Sequence, residues 1–381
     1  MIKTQDFIKK INSEIVSRSG VLAVVKVLES GVLSRPEGGP HVKKFQNRMS
    51  KLINKKFCFA TTSGTSSLHA AIALLQLNKD DEVLIPAITF MADASVVLQE
   101  KAKLVFVDIS KEDFNMDPAD AIRKISKKTR AMIVVHMYGQ PANMDKFVEI
   151  AKKYSLVLIE DCAQAMGATY KDRLVGSFGD ISCFSFYQTK HLVSGEGGMI
   201  AVNSDKYAES LKSILNNGIK RSRLEDYDFD RIGFNYQMTE IQAAILLSQL
   251  NRLIRLNNTR IRNANIYRKI LNDTDIQFQS TDSNSVNVYC YLTCLLPKRL
   301  CAKRDLFVAK VQKEGIPIKK QYPLSLPETE FIQKLFPNLP KNTPVACDFS
   351  KRVFNLYVNP GLDEVDINNF AQKILNIYKK I

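Results

Sequence analysis

Between residues 57 and 205, short unbroken apolar runs alternate with segments whose apolar positions recur every three to four residues. The runs are Phe57–Ala60, Val83–Ile85, Leu104–Val107, Ala131–Val135, Leu156–Ile159, Ile181–Phe186 and Met199–Val202. Runs this short, rich in Val, Ile and Leu and without polar alternation, suit strands covered on both faces. Between the first two, Leu68, Ala71, Ile72 and Leu75 fall at i, i+3, i+4 and i+7, one face of a helix. The alternation predicts an α/β layer on a mostly parallel central sheet. A long helix is expected from Glu240 to Leu256, opened by a capping box between Thr239 and Gln242. From about residue 260 the character changes. Helical stretches, one alternating run (Val286–Leu296) and a segment bearing Pro323, Pro327, Pro337, Pro340 and Pro344 predict a smaller α+β lobe. The expected division is an N-terminal segment at 1–20, a large domain at 21–256 and a small C-terminal domain at 257–381.

A chain of 381 residues, 45% apolar and 24% charged, can bury a large core without disulfides or structural metals. Its seven cysteines are scattered and form no CxxC pair, so neither a metal site nor a disulfide framework is expected, and a reducing cytoplasm fits best. The opening MIKTQDFIKKINSEI lacks the apolar core of a signal peptide. The most apolar window, Val83 to Leu98, holds Pro86 and Asp93, so no membrane span is expected. The net charge of +15 is spread over the whole length. Arg252, Arg255, Arg260 and Arg262 fall at helical spacing and read as a solvated helix face, with steering of phosphorylated substrates as the alternative. No helix-turn-helix or zinc-finger signature supports nucleic acid as a partner.

Ligands of parallel sheets collect beyond the carboxyl ends of the strands. The first run leads into Thr61-Thr62-Ser63-Gly64-Thr65-Ser66-Ser67. There glycine permits close approach and a helix start attracts an anion, with the hydroxyls of Thr65 and Ser66 in reach. A plain Ser/Thr helix cap explains the same residues. The fifth run leads into Glu160-Asp161-Cys162-Ala163-Gln164. A carboxylate ending a buried strand is costly unless paired, and the protonated pyridine nitrogen of pyridoxal 5′-phosphate (PLP) would pair with it. A cap of the following helix is the alternative for Asp161. The sixth run leads into Tyr187-Gln188-Thr189-Lys190, ahead of the glycine-rich Gly195-Glu196-Gly197-Gly198. A lysine amine becomes a useful nucleophile when desolvated, which Phe186, Tyr187 and Leu192 offer; an ordinary surface lysine is the alternative.

Taken together, the segments GVLSRPEGGPHVKKF (31–45), TSGTSSLHAAI (62–72), DEVLIPAITFMADA (81–94), LVFVDISKEDFNMDP (104–118), VVHMYGQPANMD (134–145), LIEDCAQAMGA (158–168), GSFGDISCFSFYQTKHLVSGEGGMI (176–200) and GFNYQMTEIQAA (233–244) resemble the DegT/DnrJ/EryC1/StrS family. These are PLP-dependent sugar aminotransferases of the type I aminotransferase fold. The resemblance implies that 21–256 is the PLP-binding domain and that Lys190 carries the cofactor as a Schiff base and shuttles the proton. It implies that Asp161 pairs with the pyridine nitrogen, Gln164 bonds the 3-hydroxyl and Phe90 stacks on the ring. Gly64, Thr65 and Ser185 would hold the phosphate. Asn235 would reach the phosphate of a neighbouring subunit, so a homodimer with sites at its interface is expected.

Three departures fall where substrate would be read: Gln237 where the family often has Arg, Gln321-Tyr322-Pro323 for the family's HYP, and Asn355–Pro360 for an LPxxP-type motif. Tyr187, Gln321 and Tyr322 are accordingly the candidate substrate residues. The expected reaction moves an amino group from glutamate or glutamine to a keto-sugar, expected to be nucleotide-linked, for a surface polysaccharide or a secondary metabolite. A cyclitol acceptor is the alternative within the same chemistry. A same-fold sugar dehydratase, which carries histidine at the lysine position, is disfavoured because Lys190 stands there and His191 follows. A non-enzymatic regulator is disfavoured by the intact cofactor constellation.

Overall fold

Seven strands form the central sheet, and each grows from one of the apolar runs. The computed structural model describes residues 9, 10, 12, 14–220, 228–340 and 342–381. The first eight residues of the expected N-terminal segment lie outside these. The strands are β1 Phe57–Thr61, β2 Glu82–Pro86, β3 Lys103–Val107, β4 Thr129–Val135, β5 Val157–Asp161, β6 Ile181–Ser185 and β7 Gly198–Val202, in the order β3-β2-β4-β5-β6-β7-β1. Six run in one direction, and β7 is antiparallel to both of its neighbours. Every residue of β6 and β7 is buried, which is why these runs carry no polar alternation. Because β7 is reversed, its first residue, Gly198, lies opposite the last residues of β1 (Thr61) and β6 (Ser185). A Cβ at Gly198 would collide with the Ser63 carbonyl, so glycine lets the chain after β1 close over this edge.

The helices cover both faces. They include α1 Arg18–Glu29, α2 Pro40–Ile53, α3 Gly64–Leu74 and α4 Met91–Gln99. Leu68, Ala71 and Ile72 of α3 are buried in the main core, as their spacing predicts. Glu240 caps α2 from a distance, its carboxylate accepting from the His41 and Val42 N–H groups.

The helix expected from Glu240 to Leu256 is two helices, α5 Glu240–Leu250 and α6 Leu253–Ile270. The capping box of Thr239 with Gln242 is present. The break falls at Asn251–Arg252, where the Arg252 guanidinium donates to the carbonyls of Glu14 and Ile15 at 3.0 Å each. The four arginines read as a solvated face are therefore not one: Arg255 and Arg262 are exposed on their side chains, Arg252 is engaged, and Arg260 is buried. Residue 256, the expected domain boundary, lies inside α6.

Beyond it, β8 Gln277–Phe278, β9 Leu292–Leu295, β10 Ile318–Lys319 and β11 Val353–Leu356 make an antiparallel sheet in the order β8-β9-β11-β10. Tyr267 of α6, Phe307, Phe354 and Ile374 pack into its core. The run Val286–Leu296 is not an amphipathic strand. Asn287 through Leu296 are all buried, and only Leu292–Leu295 pair in this sheet. Cys290 and Tyr291 pack with the main core while Tyr289 and Leu292 pack with the second. Both faces are covered because the run passes between the two cores.

Candidate active site

The ends of β1, β5 and β6 and the start of β7 share one edge of the central sheet, and the expected cofactor residues gather there. At the head of α3, Ser63 and Ser66 form a capping box: Ser63 Oγ accepts from the Ser66 N–H at 3.0 Å, and Ser66 Oγ from the Ser63 N–H at 2.9 Å. This spends the Ser66 hydroxyl, which the sequence had offered to an anion. It leaves the N–H groups of Gly64 and Thr65 without a partner among the described residues, at the positive end of the helix. Gly64 lies directly against Ser185. A Cβ there would sit 2.7 Å from that of Ser185, so glycine is what brings the helix head and the end of β6 together. Both readings of the serine-rich loop thus hold: it is a cap, and beside the cap it is an unfilled anion cradle.

Two carboxylates end β5. Glu160 is wholly buried, and its oxygens accept from the N–H groups of Gly176 (2.7 Å), Phe178 (2.8 Å) and Gly179 (2.6 Å), from Ser182 Oγ (3.3 Å) and from His136 Nε2 (3.1 Å). His136 Nδ1 accepts from the Ala142 N–H, so its proton is on Nε2 and points at Glu160. Burial pushes the Glu160 carboxyl up, but the hydrogen bonds outweigh it and hold the group below its ordinary value. Cys162 brings its thiol close to this pair, and burial pushes that thiol well up, so Glu160 and His136 form a hydrogen-bonded brace with a protonated thiol beside it.

Asp161, also buried, is treated differently. Its Oδ1 accepts from the Ala163 N–H at 2.8 Å, and Oδ2 accepts from none of the described residues. Burial raises its pKa; the Ala163 N–H and the charge of Lys190 offset this only in part. Asp93, in the first turn of α4, is buried nearby. Its Oδ2 accepts from Thr89 Oγ1 at 2.5 Å, its Oδ1 has no partner among the described residues, and burial together with the charge of Asp161 pushes it well up. In the sequence the one signal for Asp93 is its place in the apolar window Val83 to Leu98.

Lys190 is half-buried in the turn after β6, its N–H bonded to the Tyr187 carbonyl at 2.9 Å. Its charge acts on both Asp161 and Asp93. His191 turns the other way: its Nε2 bonds the Val288 carbonyl at 3.2 Å, and burial pushes it well below the usual range, so it is a neutral packing residue. Gln164 is held at both ends. Its Oε1 accepts from the Tyr138 N–H (3.1 Å), and its Nε2 donates to Tyr322 Oη (3.2 Å). Tyr322, just beyond β10, is thereby brought to the cofactor candidates, with a left-handed backbone (φ 60°). Gln321 reaches the same place through its carbonyl, 3.5 Å from Tyr138 Oη, and its N–H is fixed by Asn355 Oδ1. Phe90 presents its ring to solvent, 63% exposed at the head of α4, and Tyr187 is exposed too.

Asn235 stands apart from this group. It is exposed, on a strand-like segment bridged to Asn216, and its side chain meets none of the other candidates within the chain. Gln237 beside it bonds Asn216 at 2.6 Å.

The chain is similar to known aminotransferases. The sequence profile of the DegT/DnrJ/EryC1/StrS aminotransferase family matches residues 16–375. A GDP-perosamine synthase of Vibrio cholerae is 30% identical over 93% of this chain and 95% of its own. The UDP-N-acetyl-3-dehydro-alpha-D-glucosamine 3-aminotransferase of Acidithiobacillus ferrooxidans is 35% identical over 82% of each. Among solved structures, Helicobacter pylori PseC, an aminotransferase involved in the biosynthesis of pseudoaminic acid, superposes with a TM-score of 0.91 at 24% identity, covering 96% of this chain and 98% of that one.

Proposed function

The chain belongs to the DegT/DnrJ/EryC1/StrS aminotransferase family and has its α/β aminotransferase fold, and we propose that it is a PLP enzyme moving an amino group from glutamate or glutamine to a nucleotide-linked keto-sugar. The observation that carries the cofactor reading is Asp161: a buried carboxyl with one oxygen unspent, facing the charge of Lys190 at the mouth of the sheet. The residues fit the group at its other end as well, since the free N–H pair of α3 abuts Ser185.

Bound there, PLP would supply a carbonyl that takes up an amino group and a cationic ring that accepts the electrons released at the reacting carbon. The chain's residues then divide the work. Gly64, Thr65 and Ser185 bind the phosphate, and Asp161 holds a proton on the ring nitrogen by pairing with it. Phe90 covers one ring face, and the amide of Gln164, oriented by Tyr138, meets the 3-oxygen. Lys190 would hold the group through Nζ and, once displaced by the donor's amine, would be the free base that takes the proton from the donor's Cα, one amine serving both directions.

The acceptor class rests on the relatives, whose names specify GDP- and UDP-linked chemistry, and on Tyr322 and Gln321, which the second lobe contributes. A dimer is supported by exposed apolar residues, Val21, Leu22, Val25 and Leu28 of α1 and Ile232, and by the exposure of Asn235. Seven unpaired cysteines support a reducing compartment, and among the described residues no helix is long and apolar enough to cross a membrane. The placement of His191 speaks against the dehydratase alternative.

The test is spectroscopic. Purified protein should show the absorbance of a PLP–lysine adduct, which glutamate bleaches and which Lys190→Ala abolishes. Wild-type protein that never takes up PLP would end this reading. A panel of nucleotide-linked 3-keto and 4-keto sugars, followed by glutamate consumption, would then identify the acceptor.

A further inference from the structure

We propose that Lys319 is the cation that receives the α-carboxylate of the amino donor, an inference that rests on the aminotransferase reading above. Lys319 ends β10 and pairs with Asn355 of β11. Its chain neighbours are engaged elsewhere: Ile318 is buried in the second core, and Lys320, just past the strand, forms an ion pair with Asp305 at 2.8 Å. Lys319 turns instead to an aromatic pair and has no carboxylate partner among the described residues. Its Nζ lies 3.9 Å from the centre of the Tyr291 ring and 5.9 Å from that of Tyr357, and the two rings meet edge to face at 5.4 Å. Tyr291 directly follows Cys290, whose Sγ donates to the Thr189 carbonyl at 3.8 Å. Thr189 precedes Lys190, so this aromatic pair ties the second-lobe lysine to the turn that carries the reacting one.

Aromatic faces stabilise an ammonium without neutralising it. The charge of Lys319 is thus kept, half-buried, beside the like charge of Lys190. Burial foremost, and that like charge, lower its affinity for a proton. An anion entering the cleft would relieve both costs. The choice of anion follows from connectivity. The carbon of an amino acid that reacts at Lys190 carries its carboxylate one bond away. A nucleotide-linked keto-sugar carries its charge on a diphosphate beyond the sugar ring, and no charge beside its carbonyl. A cation tied through Tyr291 and Cys290 to the turn that carries the reacting lysine therefore matches the donor. An ammonium is also a point charge that one carboxylate satisfies, without the fork that a bidentate site needs.

The test compares wild type, Lys319→Gln and Lys319→Arg as holoenzymes. Glutamate affinity is read from the concentration dependence of the cofactor's spectral change in single turnovers, and UDP or GDP affinity by calorimetry. Loss of one charge-assisted bond should weaken glutamate by about 10- to 100-fold in Lys319→Gln. Nucleotide affinity and the resting cofactor spectrum should not change, and Lys319→Arg should recover most of the loss. In steady state the KM for glutamate should rise while that of the sugar stays, which a merely structural lysine would not produce. Unchanged glutamate affinity in a variant with a normal cofactor spectrum overturns the proposal, as does loss of nucleotide binding with glutamate affinity intact. Absence of any cofactor spectrum in the wild type would instead remove the aminotransferase reading on which it stands.

Discussion

Glu160 and Asp161 are consecutive, both buried and both at the end of β5, yet the two sides of the sheet receive them in opposite ways. On one side, three backbone N–H groups, a serine and a histidine saturate the Glu160 carboxylate, and the loop from Gly176 to Gly179 is wrapped around it. On the other side Asp161 has one N–H and an idle oxygen. Hydrogen bonds beat desolvation in the first case and lose in the second, which is why the two carboxyls shift in opposite directions. A saturated buried charge is an architectural element. An unsaturated one is a standing demand for a cationic partner, and at the mouth of a parallel sheet that demand is chemical.

The contrast can be broken from either side. Replacing Asp161 by Asn removes the demand and keeps the shape. Transamination should fall on the order of 10³-fold or more, because a preorganised charge at the electron-accepting ring is lost. Circular dichroism and the unfolding midpoint of the cofactor-free protein should not fall. Wild-type turnover in that variant would refute the role given to Asp161. Glu160→Gln should do the reverse. An amide turns an NH₂ toward at least one of the donors Gly176, Phe178, Gly179 and His136, and breaking a buried charged network of this kind costs about 3–5 kcal/mol. Denaturant unfolding measures it. A loss below about 1 kcal/mol would show that the nest is not the brace described here.

How much of this could be read from the sequence differs by element, for physical reasons. The seven strands were legible because burial on both faces makes each run apolar throughout, a signal that needs no partner to interpret. The end of α5 was not: Asn251 and Arg252 are neither Pro nor Gly, and the helix breaks where Arg252 meets the carbonyls of Glu14 and Ile15, more than 230 residues away in the chain. The run 286–296 was misread because its alternation of residue types does not follow its burial; it passes between two cores. At the site, Lys190, Asp161, Gln164 and the Gly64 loop follow strand ends and were found there. That Asp161 rather than Glu160 is the open carboxyl depends on the 176–179 loop, which local sequence does not place. Lys319 and Lys320 are indistinguishable in sequence, and only the fold sets one over the Tyr291 ring and the other against Asp305.

The smallest effect is the most discriminating, because it concerns sign alone. Glu160 sits below its ordinary value of 4.5, so its stabilisation is present above that pH and is lost as pH falls through the folded-state value. Asp161 sits above its ordinary value of 3.8, so in cofactor-free protein it destabilises the fold as pH rises from that value through the folded-state one. The Asp161→Asn variant removes this penalty. Its stability relative to wild type, measured by urea unfolding without cofactor, should therefore rise with pH across the mildly acidic range and then level off. Asp93 adds to the sign, since the charge on Asp161 is one of the causes holding its acid protonated. Without that charge Asp93 ionises more readily, and its own penalty shrinks. Adding PLP should reverse the ranking, because in the wild type the ring nitrogen would then satisfy the idle oxygen. A cofactor-free wild type more stable than the variant near neutral pH would mean that Asp161 is already paired within the chain, and the two sides of the sheet would no longer differ in kind.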